Sequence, residues 1–143
     1  MNGEDLVRRY MDAELRNDFA AQASMRHPQW HADWPQSGER VPDHERYRKI
    51  HEQFPGGMPR IELTKVAGAE DRWAVSPSMT IVRIAGSGDV WLVEGVNTYP
   101  NGDVYHVAHH IELLDGRVLR ETTFYAPQLD APAWRAALVE PIR

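Results

Sequence analysis

The sequence predicts an α+β domain with helices packed on one face of a strongly curved antiparallel sheet. Apolar residues recur at helical spacing in the N-terminal third, which also holds one short strand. Successive strand-like segments joined by short turns follow, and several of them are about ten residues long. Helices first and a strand meander afterwards are typical of α+β proteins. The 143 residues are expected to form a single domain, 1–143.

Asparagine and aspartate side chains mark the starts of three predicted helices. Asn2 suits the N-cap of the first, and Asp18 that of a second helix that runs through Met25. Asp43 is expected to cap a third helix, which ends at the Pro55-Gly56-Gly57 sequence.

A short strand between the second and third helices precedes the strand meander. Trp30, Ala32 and Trp34 alternate there with His31 and Asp33. Five further segments have strand character, namely RIELTKV, RWAVSPSMTIVRI, DVWLVEGVNTY, DVYHVAHHIELL and RVLRETTFY.

Two prolines indicate an interruption in one strand and the start of a further helix. Pro77 interrupts the second of the five segments, which indicates an edge or a bulge. The sequence Asp130-Ala131-Pro132 is expected to begin a final short helix through Glu140.

The dipeptides Asn101-Gly102 and Asp115-Gly116 are strong hairpin signals. If both form two-residue type I′ turns, Glu94 faces His109 on one side and Thr122 faces it on the other. A bulge or a one-residue slip would move each side chain to the opposite face.

With this pairing, one sheet face is largely apolar and has a polar row at its centre. Such a face is typical of a ligand pocket. The apolar set is Val90, Leu92, Val96, Val107, Ile111, Leu113, Val118 and Phe124, and the polar set is Glu94, His109, Arg120 and Thr122. The opposite face would carry Trp91, Val93, His106, His110 and Glu121.

A carboxylate beside an imidazole in an apolar cavity can act as an acid/base unit. Glu94 would orient His109, and Arg120 would hold an anionic group or pair with Glu94. The alternative is an internal polar network that braces the sheet. Taken alone, Tyr10 is favoured as a core tyrosine, and Trp30 and Trp34 are favoured as pocket walls or core over a stacking platform.

Composition excludes several other classes of function. The chain has no cysteine, its net charge is -5, and no run of basic residues stands out. We therefore expect neither nucleic-acid nor membrane partners. No secretory signal is evident, and a cytoplasmic location is predicted. His106 and His110 lie too far apart along one strand to share a metal ion, so we expect no metal and no cofactor.

The layout resembles the SnoaL-like branch of the nuclear transport factor 2-like (NTF2-like) superfamily, alongside polyketide cyclases and ketosteroid isomerase. The segments that carry the resemblance are WPQSGER, the capped helix ending in FPG, DGRV, and YAP before APAWRAAL. The resemblance implies a cone-shaped barrel with an internal pocket, and a homodimer formed through the outer sheet face, where Trp91, Val93 and His110 would lie.

The resemblance also suggests roles for individual residues. Tyr10 matches the isomerase's oxyanion tyrosine, and His109 matches its second oxyanion donor. Trp34 stands where the isomerase has its general base, so ketosteroid isomerisation itself is not expected. The aspartate-arginine-aspartate set of limonene-epoxide hydrolases looks absent.

Three functions remain open from the sequence. The first is an enzyme that acts on a small hydrophobic carbonyl or polyketide-like compound, with His109, Glu94 and Tyr10 as catalytic residues. Its pocket would be lined by Trp30, Trp34, Val96, Val107, Ile111, Arg120, Thr122 and Phe124. The second is a non-catalytic binder of a small hydrophobic molecule, and the third is an accessory dimer.

Overall fold

Three helices begin the fold, and each starts at the side-chain cap that the sequence predicts. The computed structural model describes residues 2–58, 60–69, 72–75, 81–85 and 88–142, with side chains for 2–58 and 88–142. Asn2, Asp18 and Asp43 each accept a hydrogen bond from a backbone N–H three residues ahead. The helices are α1 (Gly3–Leu15), α2 (Phe19–Met25) and α3 (His44–Glu52).

The described strands form one six-stranded sheet and a separate hairpin. The strands are β1 (Arg26–Trp34), β2 (Glu39–Val41), β3 (Arg60–Ala69), β4 (Arg72–Val75), β5 (Ile81–Ala85), β6 (Val90–Thr98), β7 (Val104–Leu114) and β8 (Arg117–Pro127). The main sheet has the order β2-β1-β8-β7-β6-β3, is curved and does not close on itself. Its pairs are antiparallel except β1 with β8, which the sequence did not predict.

The separate hairpin lies in the segment where one interrupted strand was expected. Within the described ranges 72–75 and 81–85, strands β4 and β5 pair with each other and not with the main sheet. The predicted edge or bulge at Pro77 lies outside the described residues.

The hairpin between β6 and β7 differs from the prediction by one residue. Its loop has three residues, because Tyr99 pairs with Asp103, and only Gly102 has a positive φ, 92°. The proline ring fixes the φ of Pro100 near the value for the second position of a type I turn. The turn therefore runs from Tyr99 to Gly102, and Gly102 adopts the left-handed conformation. As a result Val93 pairs with His109, and Glu94 pairs with Ala108.

The hairpin between β7 and β8 begins as predicted and then shifts. Asp115 and Gly116 both have positive φ, 52° and 69°, as a type I′ turn requires, and Leu113 pairs with Val118. A bulge follows, so that Leu119 has no partner in the ladder. Beyond the bulge, the predicted pairing of His109 with Thr122 is wrong, because His109 pairs with Thr123.

The core lies between α1 and the concave face of the sheet. Its largest fully buried side chains are Val7, Tyr10, Gln22, Val93, Ile111 and Val118. A 3₁₀ helix at Ala133–Leu138 lies within the span of the predicted final helix, and its Trp134 is 78% exposed. No helix among the described residues is long and apolar enough to span a membrane.

Candidate functional site

A buried carboxylate, that of Glu121, lies at the centre of the site. Its Oε2 accepts hydrogen bonds from the Tyr10 hydroxyl and the Trp30 indole N–H, each at 2.7 Å. Burial alone would raise the pKa of Glu121. The contact with His109 and the charges of His109 and Arg26 outweigh burial and hold this pKa well below its usual range. Glu121 is therefore an ionised group fixed by two hydrogen bonds.

A buried guanidinium, that of Arg26, lies on the Oε2 side of Glu121. Its Nη2 is 3.7 Å from Glu121 Oε2, and its Nε donates to the Tyr10 hydroxyl at 2.6 Å. Its central carbon is 3.7 Å from the ring centre of Trp30 and 4.3 Å from that of Tyr47. The aromatic rings and the carboxylate compensate the desolvation of this buried cation.

His109 contacts the second oxygen of the same carboxylate. Its Nε2 lies 2.9 Å from Glu121 Oε1, although the contact lacks the direction of a linear hydrogen bond. Burial alone would lower the pKa of His109. The contact with Glu121 and the charges of Glu14 and Glu121 outweigh it, so the pKa is raised. His109 and Glu121 thus form an acid/base pair.

A second carboxyl, that of Glu14, reaches this pair from α1. Its side chain is buried, and its Oε1 has no hydrogen-bond partner among the residues that the structure describes. Burial, followed by the charge of Glu121, raises the pKa of Glu14 to about 8. One ligand atom each from Glu14, His109 and Glu121 lie within 4.8 Å of one another. These three residues could hold a metal ion.

The three ionisable residues border a cavity of about 380 Å³ between α1, α3 and the sheet. Most of its other walls are aromatic or aliphatic. The aromatic walls are Trp34, Tyr47, Phe54, Tyr99, Tyr105 and Tyr125. A mostly apolar cavity with a few converging polar groups is the usual form of a small-molecule site.

The structure corrects the predicted residues of β6. Glu94 was expected to face His109, but the three-residue loop turns its side chain to the outer face. Val96 lies on that outer face as well and does not line the cavity. Val93 and Trp91, predicted on the outer face, point inward, where Val93 is 2% exposed and Trp91 packs on the core.

The residues of β8 that were predicted to line the pocket also lie on the outer face, because the bulge at Leu119 shifts the register by one residue. Arg120 pairs with Glu112, and Phe124 is 45% exposed, with its ring against His110. Thr122 lies opposite His110. None of Arg120, Thr122 and Phe124 lines the cavity.

The remaining predicted residues lie either at the cavity wall or in the adjacent core. His109, Val107 and Trp34 line the cavity. Ile111 is fully buried in the core, not at the cavity wall. Trp30 is likewise buried behind the cavity, where it binds Glu121.

Tyr10 belongs to the site, but its contacts do not fit the predicted role. Its hydroxyl donates its proton to Glu121, so that proton is not directed at a substrate.

Glu14, Glu121 and Arg26 belong to the site but were not predicted as site residues from the sequence. Glu14 had a usable signal, since it lies four positions after Tyr10 on the apolar face of α1. Glu121 was placed on the wrong face by the unforeseen bulge. Arg26 gave no signal, because a cation near a helix end usually points to solvent.

The architecture is that of the NTF2-like fold, as the sequence resemblance implied. A superposable NTF2-like protein of unknown function from Burkholderia xenovorans has a TM-score of 0.76 and 23% identity, over 99% of this chain and 95% of that one. A proposed ketosteroid isomerase from Kribbella flavida has a TM-score of 0.73 and 20% identity, over 99% and 90%.

A third structure of this fold contains a ligand. The protein from Catenulispora acidiphila has a ketosteroid isomerase-like fold and was solved in complex with trimethylamine. Its TM-score is 0.60 at 12% identity, over 85% of each chain. No protein-family model matches the sequence, and no curated protein matches it either. These likenesses establish the fold.

Proposed function

We propose that this protein is an enzyme that acts on a small, mostly apolar carbonyl compound by acid/base catalysis. One observation carries the proposal. His109 Nε2 lies 2.9 Å from an anchored carboxylate oxygen of Glu121, and both residues border a cavity of about 380 Å³. Glu121 thus takes the place that the sequence assigned to Glu94 as the partner of His109.

The geometry suits proton transfer at a carbon beside a carbonyl group. Glu121 fixes the orientation of the His109 ring and stabilises its charged form, so the ring can accept a proton from the substrate and return it to another atom. Burial opposes that charged form and keeps the ring from becoming too weak an acid to return the proton.

Tyr10 acts in this proposal as a positioning residue. Burial, followed by the charge of Glu121, raises the pKa of Tyr10 well above its usual value, so its hydroxyl remains protonated. It therefore stays a donor to Glu121 and holds the carboxylate in place for His109.

The cavity walls define the class of substrate. The volume of about 380 Å³ suits a small molecule, and the apolar and aromatic walls favour a hydrophobic one. Asn97 and Thr123 also border the cavity and offer groups that can bind a carbonyl oxygen.

A second candidate function is non-catalytic binding, which the aromatic walls favour for a small organic cation. Such a cation is attracted to ring faces and to the nearby carboxylates. The trimethylamine bound by the Catenulispora acidiphila protein suggests a first probe.

The experiment that tests the enzyme proposal is deuterium exchange into small ketones in D₂O, followed by NMR. Exchange next to the carbonyl reports proton abstraction directly, whatever product the enzyme forms. We expect exchange with the parent protein and its loss in His109→Gln. The matched control is His110→Gln, which removes an imidazole from the outer face of the same strand.

The outcomes separate the two candidates. Exchange that survives in His109→Gln contradicts the proposal. Trimethylamine or ketone binding in the parent, seen by calorimetry without exchange, supports the second candidate instead.

We further propose three properties suggested by the sequence resemblance, namely membership of the SnoaL-like branch, a cytoplasmic location and a homodimer formed through the outer sheet face. The described strands support a revised dimer surface. That surface contains Leu92, Val96, Ala108, His110 and Phe124 in place of Trp91 and Val93.

A further inference from the structure

We propose that Glu14, His109 and Glu121 form a binding site for one divalent transition-metal ion at the wall of the cavity. Ligand atoms of the three residues lie within 4.8 Å of one another, and all three side chains border the cavity. The inference rests on this arrangement and not on the proposed reaction.

The two oxygens of the Glu121 carboxylate have different surroundings. Glu121 Oε2 is occupied by Tyr10 and Trp30, and Arg26 lies on its side at 3.7 Å. Glu121 Oε1 lies 2.9 Å from His109 Nε2, and the Glu14 carboxyl lies beside the same carboxylate. A cation bound at Oε1 would therefore keep the network around Oε2 intact.

Glu14 supplies an independent indication of a missing ligand. Its Oε1 is fully buried, has no hydrogen-bond partner among the described residues and belongs to a residue that is 9% exposed. A buried polar atom without a partner is costly, and native proteins usually satisfy it with protein, water or an ion. A metal ion would satisfy it directly.

The distance between the donor atoms indicates the kind of metal. His109 Nε2 and Glu121 Oε1 are 2.9 Å apart, which corresponds to about 90° at a metal with bonds of about 2.1 Å. This angle is octahedral, and one imidazole with two carboxylates suits Mn²⁺, Fe²⁺ or Co²⁺ better than Ca²⁺ or Mg²⁺, which prefer oxygen ligands throughout. The remaining coordination positions would face the cavity.

Metal binding and the proposed proton transfer exclude each other. Both require the lone pair of His109 Nε2, so a bound ion is expected to stop deuterium exchange. The two proposals nevertheless fail separately, since metal affinity is measured without any substrate.

The test is titration of chelator-treated full-length protein with Mn²⁺ and Co²⁺ by calorimetry. Co²⁺ absorption provides a second readout, because its intensity reports the coordination geometry. We expect one ion per chain, six-coordinate Co²⁺ absorption, and weaker binding of Mg²⁺ and Ca²⁺. Glu14→Gln should weaken Mn²⁺ binding by roughly tenfold or more, since loss even of an outer-sphere partner commonly costs that much.

Glu94→Gln is the matched control, because Glu94 lies on the outer face and should leave affinity unchanged. Circular dichroism verifies that each variant is folded, and His109→Gln provides a second ligand deletion. Absence of Mn²⁺ and Co²⁺ binding by the parent overturns the proposal. Equal affinity of the parent, Glu14→Gln and His109→Gln also overturns it, since the ion would then lie elsewhere.

Discussion

The hydroxyl of Tyr10 donates to Glu121 Oε2 at 2.7 Å and accepts from Arg26 Nε at 2.6 Å. A single oxygen thereby connects the first helix, the first strand and the last strand. All three side chains are buried, so water cannot replace either bond.

Replacing Tyr10 by Phe is expected to lower the free energy of unfolding. The change leaves Arg26 Nε without its acceptor, and an unsatisfied buried group costs about 1–3 kcal/mol. Urea denaturation followed by circular dichroism measures the loss. Tyr105→Phe is the control, since Tyr105 borders the open cavity and is only half-buried. Equal stability of Tyr10→Phe and the parent would contradict the described network.

The buried carboxyl of Glu14 predicts a dependence of stability on pH. Its pKa is about 8 in the fold against 4.5 as the ordinary value, so the folded state holds more protons between these pH values. The contribution of this raised pKa to the free energy of unfolding is fully present below pH 4.5 and is lost as the pH rises through 8. Stability of metal-free parent protein should therefore fall more steeply between about pH 5 and about pH 9 than that of Glu14→Gln. Parallel pH profiles would show that Glu14 ionises normally.

The register of β6 and β7 predicts which acid controls the titration of His109. In NMR titrations, Glu121→Gln should lower the pKa of His109, because burial remains while its charge partner is lost. Glu94→Gln should leave that pKa unchanged, since Glu94 lies on the other face of the sheet. A shift with Glu94→Gln and none with Glu121→Gln would restore the register predicted from sequence.

The outer face of the sheet predicts how a homodimer would respond to substitution. Phe124 is 45% exposed there, and a lysine in its place would bring like charges together across a symmetric interface. We expect the parent to have the mass of two chains by light scattering and Phe124→Lys that of one. Arg117→Ala, at the exposed start of the same strand, should keep the parent's mass. A monomeric parent would contradict the dimer.

The first three helices and the Asp115-Gly116 turn were predictable because their signals are local. Asn2, Asp18 and Asp43 cap helices wherever their side chains meet free backbone N–H groups, and Asp115-Gly116 has few other conformations available. The NTF2-like fold followed from the order of these elements.

The composition of the site was less predictable, because it depends on counting residues along strands. Pro100 lengthens one loop by a residue, and Leu119 adds a residue to the ladder on the other side of β7. These two register errors of one residue each leave His109 on the predicted face of the sheet. Its partners on the neighbouring strands, however, are Val93 and Thr123 in place of Glu94 and Thr122. The parallel contact of β1 with β8 also lacks a local signal, since it joins distant parts of the chain.

The bulge at Leu119 determines which of two sets of β8 side chains faces the cavity. Glu121, Thr123 and Tyr125 line the cavity, while Arg120, Thr122 and Phe124 lie one position away on the reverse of the same strand. A ladder that kept Leu119 but lost the bulge would turn Arg120, Thr122 and Phe124 to the cavity, whereas deletion of Leu119 would keep Glu121 inward, because Arg120 and Glu121 would retain their partners on β7. The anionic lining therefore depends on the position of one backbone irregularity, and a relative that lost the bulge would have a different cavity chemistry with the same residues in the strand.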